Sequence, residues 1–147
     1  MKNIVIASPH SLHDQLEIEL SGTFTVTRIK SREALTAEYL KELNPSYVFF
    51  PHWSWIIPDE ILTDFQCVIF HMTDLPYGRG GSPLQNLIVR GKKETVISAI
   101  KCVKELDAGP IYLKMPLSLD GTAEQILDRA SAIIQQMIIN IIDGCYI

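Results

Sequence analysis

The residues richest in chemistry lie in one run, His71-Met72-Thr73-Asp74-Leu75-Pro76-Tyr77-Gly78-Arg79-Gly80-Gly81-Ser82-Pro83. Its histidine follows an apolar stretch and precedes a helix start. A sheet presents a proton donor or acceptor at such a place. Gly78, Gly80 and Gly81 permit positive φ and a close backbone approach to a ligand. Arg79 and the free amides at the helix start favour an anionic group. Pro51-His52-Trp53-Ser54-Trp55 offers a second histidine beside two large aromatic residues, while His10 and His13 read as surface residues. The four histidines show no i,i+4 pair and no accompanying carboxylate pattern, so no catalytic metal is expected. Ser8-Pro9-His10 after the first apolar run lacks the glycine fingerprint of a dinucleotide site. Cys67, Cys102 and Cys145 lie in apolar runs, where the thiol acts as a small hydrophobe.

The elements that would position these groups alternate. Asn3–Ser8, Phe24–Ile29, Tyr47–Phe50 and Gln66–Phe70 read as strands. Between them Leu12–Leu20, Arg32–Leu43 and Pro58–Leu62 read as helices, the second stopped by Asn44-Pro45. Near-continuous apolar strands alternating with helices predict a Rossmann-like α/β fold, with a mostly parallel sheet and helices on both faces. Ligands in such sheets bind beyond the carboxyl ends of the strands, which directs attention to His10, His52 and His71. The second half differs. Ser82-Pro83 predicts a helix over Leu84–Arg90, and Thr95–Val103 and Ile111–Leu117 predict an antiparallel extension. Thr122-Ala123-Glu124-Gln125 is a capping box opening a long helix to about Ile142. That helix is apolar on more than one face, which predicts a homodimer formed through it.

His71-x-Thr73-x-Leu75-Pro76-x-x-Arg79-Gly80-x-x-Pro83 resembles the signature of the formyltransferases that use 10-formyltetrahydrofolate. That family includes glycinamide ribonucleotide, methionyl-tRNA and amino-sugar formyltransferases. Leu106-Asp107-Ala108-Gly109-Pro110-Ile111 is similar to the family's Asp-x-Gly segment, and Ile56-Ile57-Pro58 with Ile61-Leu62 is a looser likeness. The resemblance implies a formyltransferase-like fold and transfer of a formyl group to a primary amine, with no covalent enzyme intermediate. It assigns His71 and Asp107 to catalysis as an imidazole oriented by a carboxylate. It assigns Thr73, Asp74, Leu75, Pro76, Val103, Leu106 and Asp107 to the folate, and Tyr77, Arg79, Gly80 and Gly81 to the amine substrate. One position departs from the pattern. Ile69 stands where the family carries the asparagine that helps hold the oxyanion, so His52 is expected as a substitute donor. The alternative is a weak or inactive relative that binds folate or a sugar nucleotide.

The chain has 147 residues, 47% of them hydrophobic and 20% charged, with a net charge of −4. That length and composition predict one domain, residues 1–147, with a sizeable core. Negative charge disfavours a phosphate backbone as partner, so a small-molecule amine is expected and nucleic acid is not. A nucleotide-linked amino sugar is the expected acceptor, because transfer RNA formylation in this family adds a C-terminal domain and a basic surface. Apolar runs too short for a membrane span or a signal-peptide core predict a cytoplasmic protein.

Overall fold

The computed structural model describes residues 1–72, 93–104 and 109–144. Thr73 to Gly81, the predicted helix Leu84–Arg90, Leu106, Asp107 and Cys145 therefore lie outside the described residues. The strands run in the order β2-β1-β3-β4-β5-β6, and the chain divides into two compact units, Met1–Ile69 and Phe70–Ile147.

In the first unit an unbroken run of β-branched residues makes β1 (Asn3–Ala7). Ile4, Val5, Ile6 and Ala7 are all buried. Successive side chains point to opposite faces, so burial of four in a row means the sheet is covered on both sides there. β1 pairs in parallel with β2 (Thr25–Ile29) on one side and with β3 (Tyr47–Phe50) on the other. β3 pairs in parallel with β4 (Cys67–His71), Phe50 opposite Ile69. The chain thus moves outward from β1 to β2, then returns to the far side of β1. That reversal leaves a switch point at the carboxyl ends of β1 and β3.

Helices α1 (Asp14–Leu20), α2 (Ala37–Leu43) and α3 (Asp59–Asp64) join these strands. Two start later than their periodicity predicts. Ser11–His13 is a 3-10 turn, capped by His10 Nδ1 accepting from the Leu12 amide at 3.1 Å. Helix α2 waits for Thr36, whose hydroxyl accepts from the Tyr39 amide at 3.1 Å, and it ends at Asn44 in the left-handed region. Residues 31–36 spend their amides on local turns, with Ala34 N–H bonding Ser31 O and Leu35 N–H bonding Arg32 O.

Arg28 of β2 ties this unit together. Its side chain is 5% exposed. Nε donates to Ser8 O at 3.0 Å, Nη2 to His10 O at 2.8 Å and Nη1 to His13 O at 3.2 Å. Nη1 also meets Asp14 Oδ1 at 3.0 Å and Glu17 Oε1 at 3.3 Å. One planar cation therefore satisfies three carbonyls of the chain after β1 and two acids of α1's first turn.

In the second unit β5 (Glu94–Lys101) and β6 (Ile111–Ser118) pair antiparallel, with a register shift at Ala99/Ile100. This is the antiparallel part that the second-half pattern predicts. Pro116 is tolerated on β6 because an edge strand can spare an amide donor. Gly109 lies so close to the Lys101 carbonyl that a Cβ there would collide with it, while Lys101 N–H bonds Pro110 O at 2.8 Å. Helix α4 (Ala123–Ile142) opens on the expected capping box: Gln125 N–H to Thr122 Oγ1 at 3.1 Å and Thr122 N–H to Gln125 Oε1 at 2.9 Å. It lies against β6 and β5. Ile126, Ala130, Ile134, Met137, Ile138 and Ile141 are buried within the chain itself. Much of the helix's apolar breadth is thus covered within the chain. Among the described residues no helix is long and apolar enough to cross a membrane.

Lysine at position 28 keeps the charge but cannot satisfy three carbonyls in one plane. Arg28→Lys is expected to lower stability by about 2–3 kcal/mol, the scale of one or two buried carbonyls left without donors. The urea midpoint measures it.

Candidate functional site at the sheet switch point

The turn after β1 and the loop after β3 bring three histidines together. His13 is fully buried, His52 half-buried and His10 exposed. His13 Nε2 and His52 Nδ1 are 2.7 Å apart. The His10 ring lies 5.6 Å from that of His52 and 6.4 Å from that of His13, centroid to centroid. His52 takes φ = 58°, a left-handed conformation unusual for a residue with a Cβ. Ser8 Oγ donates to His52 O at 3.3 Å and so holds that backbone. Such strain persists only where the surroundings over-determine it.

The reading of His13 as a surface residue is corrected here. Its ring joins the buried face of α1 at the spacing His13, Leu16, Leu20. That spacing is helical and was available in the sequence; counting from Leu12 instead hid it. His10 is exposed as expected, yet it belongs to the same cluster.

Burial holds the His13 pKa down to about 3; positive charge at His52, Arg28 and His10 pushes the same way, and Asp14 opposes. Burial, then His10, also lowers His52. Both rings are thus neutral near pH 7. Among the described residues no set of three His, Cys, Asp or Glu side chains is arranged to hold a metal ion.

Beyond His52 the loop is aromatic. Phe50 and Trp53 pack edge-to-face with centroids 5.7 Å apart, and Trp53 and Trp55 do so at 4.9 Å. The Trp53 Nε1–H is buried and finds no acceptor among the described residues. Ile57 is buried, whereas Ile56 is 94% exposed.

In the second unit His71 ends β4 and is buried, with Thr95 Oγ1 donating to the carbonyl of neighbouring Met72 at 3.2 Å. The strand runs one residue further than predicted and includes the histidine. Val103 follows β5 and is half-buried. Asp107 and the Thr73–Pro76, Tyr77 and Arg79–Gly81 positions lie outside the described residues, so their expected roles remain expectations.

The family model for formyl transferases matches residues 7–142. The chain belongs to the formyl transferase family. Over 143 residues it is 28% identical to a methionyl-tRNA formyltransferase of Malacoplasma penetrans, covering 95% of this chain and 43% of that protein. Over 119 residues it is 32% identical to the Thermotoga maritima methionyl-tRNA formyltransferase, covering 78% of this chain and 37% of that one. This formyl transferase chain therefore spans less than half the length of these curated relatives. The solved methionyl-tRNA formyltransferase of Clostridium thermocellum superposes with a TM-score of 0.91 at 49% identity, covering all of this chain and 67% of that one. The formyltransferase PseJ of Anoxybacillus kamchatkensis, solved with a formamido sugar nucleotide and tetrahydrofolate, shares the fold with a TM-score of 0.73 at 17% identity, over 98% of this chain and 78% of its own.

Neutral burial of His13 has a thermodynamic consequence. Unfolded histidine titrates near 6.5, so below that pH the unfolded chain binds a proton that folded His13 refuses. Stability is complete above pH 6.5 and falls as the pH drops toward about 3. The slope is about 1.4 kcal/mol per unit from this one group. Urea midpoints measured between pH 7 and 5 should decline accordingly, and His13→Gln should flatten the decline.

Proposed function

We propose that this chain is the catalytic portion of an enzyme that transfers a formyl group from 10-formyltetrahydrofolate to a primary amine, as one formyltransferase domain over residues 1–147. Membership of the formyl transferase family over residues 7–142 carries the reading. It is supported by a buried histidine at the carboxyl end of a central strand. In the first unit the buried Trp53 Nε1–H, which has no acceptor among the described residues, is a donor suited to an amide-like oxygen. In this reading Thr73, Asp74, Leu75, Pro76, Val103, Leu106 and Asp107 hold the folate, and Tyr77, Arg79, Gly80 and Gly81 hold the amine substrate.

Bound 10-formyltetrahydrofolate would supply a formyl carbon that an unprotonated amine can attack. His71 donates a hydrogen bond to the formyl oxygen as negative charge gathers there, and Asp107 orients its ring. The proton that the amine must lose would pass to the folate nitrogen whose bond to the formyl carbon breaks. His52 supplies the donor that the isoleucine at position 69 cannot.

The proposed acceptor is a small amine, with a nucleotide-linked amino sugar first on the ground of the net charge of −4. A second reading, the amine of methionyl-tRNA, is favoured by the 49% identity to the Clostridium thermocellum methionyl-tRNA formyltransferase. The proposal also includes a cytoplasmic location, which cell fractionation tests.

Transfer of radiolabelled formyl from 10-formyltetrahydrofolate to a panel of nucleotide-linked amino sugars and to methionyl-tRNA decides the acceptor. His71→Ala should abolish transfer and Asp107→Asn should lower it severely, the double variant being little worse than the worse single one. Unchanged turnover in His71→Ala would end the catalytic assignment. Folate binding without transfer to any acceptor would favour the binding-module alternative.

Both tryptophans of the chain are in the loop after β3, so its fluorescence reports on that loop alone. Tetrahydrofolate at saturation is expected to quench it. Unaltered emission alongside calorimetrically measured binding would place the folate away from Trp53 and Trp55.

A further inference from the structure

We propose that Pro116 and Arg129 close the outer edge of β6 to strand addition, so that the sheet ends at β6 instead of running on into that of a second copy of the chain. The inference lies within the second unit and is independent of the formyl-transfer reading.

Register fixes which way each main-chain group of β6 faces. Leu119 N–H bonds Lys93 O at 2.9 Å, so these two residues form a hydrogen-bonded pair at the end of the ladder. In an antiparallel ladder such pairs alternate with pairs whose N–H and C=O groups point away from each other. Counting back along the register, Thr95–Leu117, Ile97–Met115 and Ala99–Leu113 are the bonded pairs. Glu94–Ser118, Val96–Pro116 and Ser98–Lys114 are the others. The main chain of Lys114, Pro116 and Ser118 therefore faces away from β5. Among the described residues β6 is the last strand of the sheet, so that direction is its edge.

A row of outward N–H and C=O groups is a template for another strand. The composition of β6 favours one, because Ile111, Tyr112, Leu113, Met115 and Leu117 are large and apolar and Lys114 is its one charge. The edge is also self-complementary. A two-fold axis through position 116 would lay two copies of β6 antiparallel, each Pro116 opposite the other.

Two features oppose that pairing. Pro116 has no N–H, and it stands between the other two outward positions, where an incoming strand needs a donor. The ring is compatible with β5, since the position opposite Val96 makes no ladder hydrogen bond to it. At Ser118 the acceptor is engaged: Arg129 Nη1 donates to Ser118 O at 2.6 Å and to Asp120 O at 3.1 Å. Arg129 reaches there from the second turn of α4, and its guanidinium occupies the place that an incoming N–H would take. One proline and one arginine thus remove a donor and an acceptor two residues apart, which are successive links of any ladder built on this edge. The exposed Lys114 adds a charge to the same edge.

The test uses the full chain. Pro116→Val supplies the missing donor on the outward side and leaves the β5 ladder intact. Arg129→Met keeps the aliphatic stem and releases the Ser118 carbonyl. Sedimentation velocity between about 1 μM and 1 mM follows assembly. With rising concentration the double variant is expected to shift toward a species of twice the parent's mass, each single variant shifting less. Amide hydrogen exchange locates the new contact: positions 116 and 118 should become protected in step with association. A folded double variant that sediments as the parent does overturns the proposal, and so does association that leaves those two amides exchanging freely. Arg129→Met that lowers the urea midpoint without adding to the association of Pro116→Val overturns the arginine's part. Should Pro116→Val not fold, Pro116→Ala restores the same donor with a smaller side chain, and the same two measurements decide.

Discussion

A guanidinium buried to 5% exposure organises the first half of this protein. Arg28 reaches from β2 across the end of β1 and takes the carbonyls of Ser8, His10 and His13. A buried cation is tolerable only when hydrogen bonds and opposite charge replace its water. Here the backbone supplies three acceptors, and Asp14 and Glu17 supply the countercharge from α1's first turn, where the helix dipole already favours acids. The consequence runs outward. With those carbonyls fixed, His13 faces inward with Leu16 and Leu20, and its ring meets His52. Burial keeps that ring neutral, and the Arg28 charge adds to the effect. Shape and protonation at the switch point are thus linked.

Strand order explains why a cluster forms at this place. β1 and β3 are neighbours, and the segment leaving β1 runs to β2 on one side while the segment leaving β3 runs to β4 on the other. Both connecting segments begin at the carboxyl end, so residues far apart in sequence meet above it. Ser8 bonds His52 across 44 positions. No local pattern could create that contact; the topology does.

The sequence carried the architecture further than it carried the site. Tyr47–Phe50 and the capping box at Thr122 were legible because β-branched runs and a Thr-x-x-Gln spacing act locally. The family likeness was legible because His71, Leu75-Pro76, Arg79-Gly80 and Asp107 keep characteristic spacing. Helix starts were less so: Thr36 and His10 act as caps through hydrogen bonds that side-chain periodicity does not register. His13 was misplaced because Leu12, Leu16 and Leu20 fit a four-residue spacing while His13, Leu16 and Leu20 fit a three-then-four spacing that is equally helical, and only the tertiary structure shows which faces inward. The apolar stripe of the C-terminal helix was legible too, but not that β5 and β6 pack against it within the chain.

The Asp-x-Gly segment shows how a motif divides between architecture and chemistry. Gly109 is required by packing alone, since any Cβ there would meet the Lys101 carbonyl at the end of β5. The Pro110 carbonyl then accepts from the Lys101 amide and starts the antiparallel pair correctly. Nothing in that requirement involves a substrate. Asp107 lies outside the described residues, and the family resemblance gives it a part in turnover rather than in packing. Substitution of the two residues should therefore separate cleanly. Gly109→Ala acts through the β5–β6 pairing and shows in the denaturation midpoint, whereas Asp107→Asn leaves the midpoint in place and shows in turnover. Equal losses of stability from both would mean that the acid too is structural, and the carboxylate's role in orienting an imidazole would have to pass to another group.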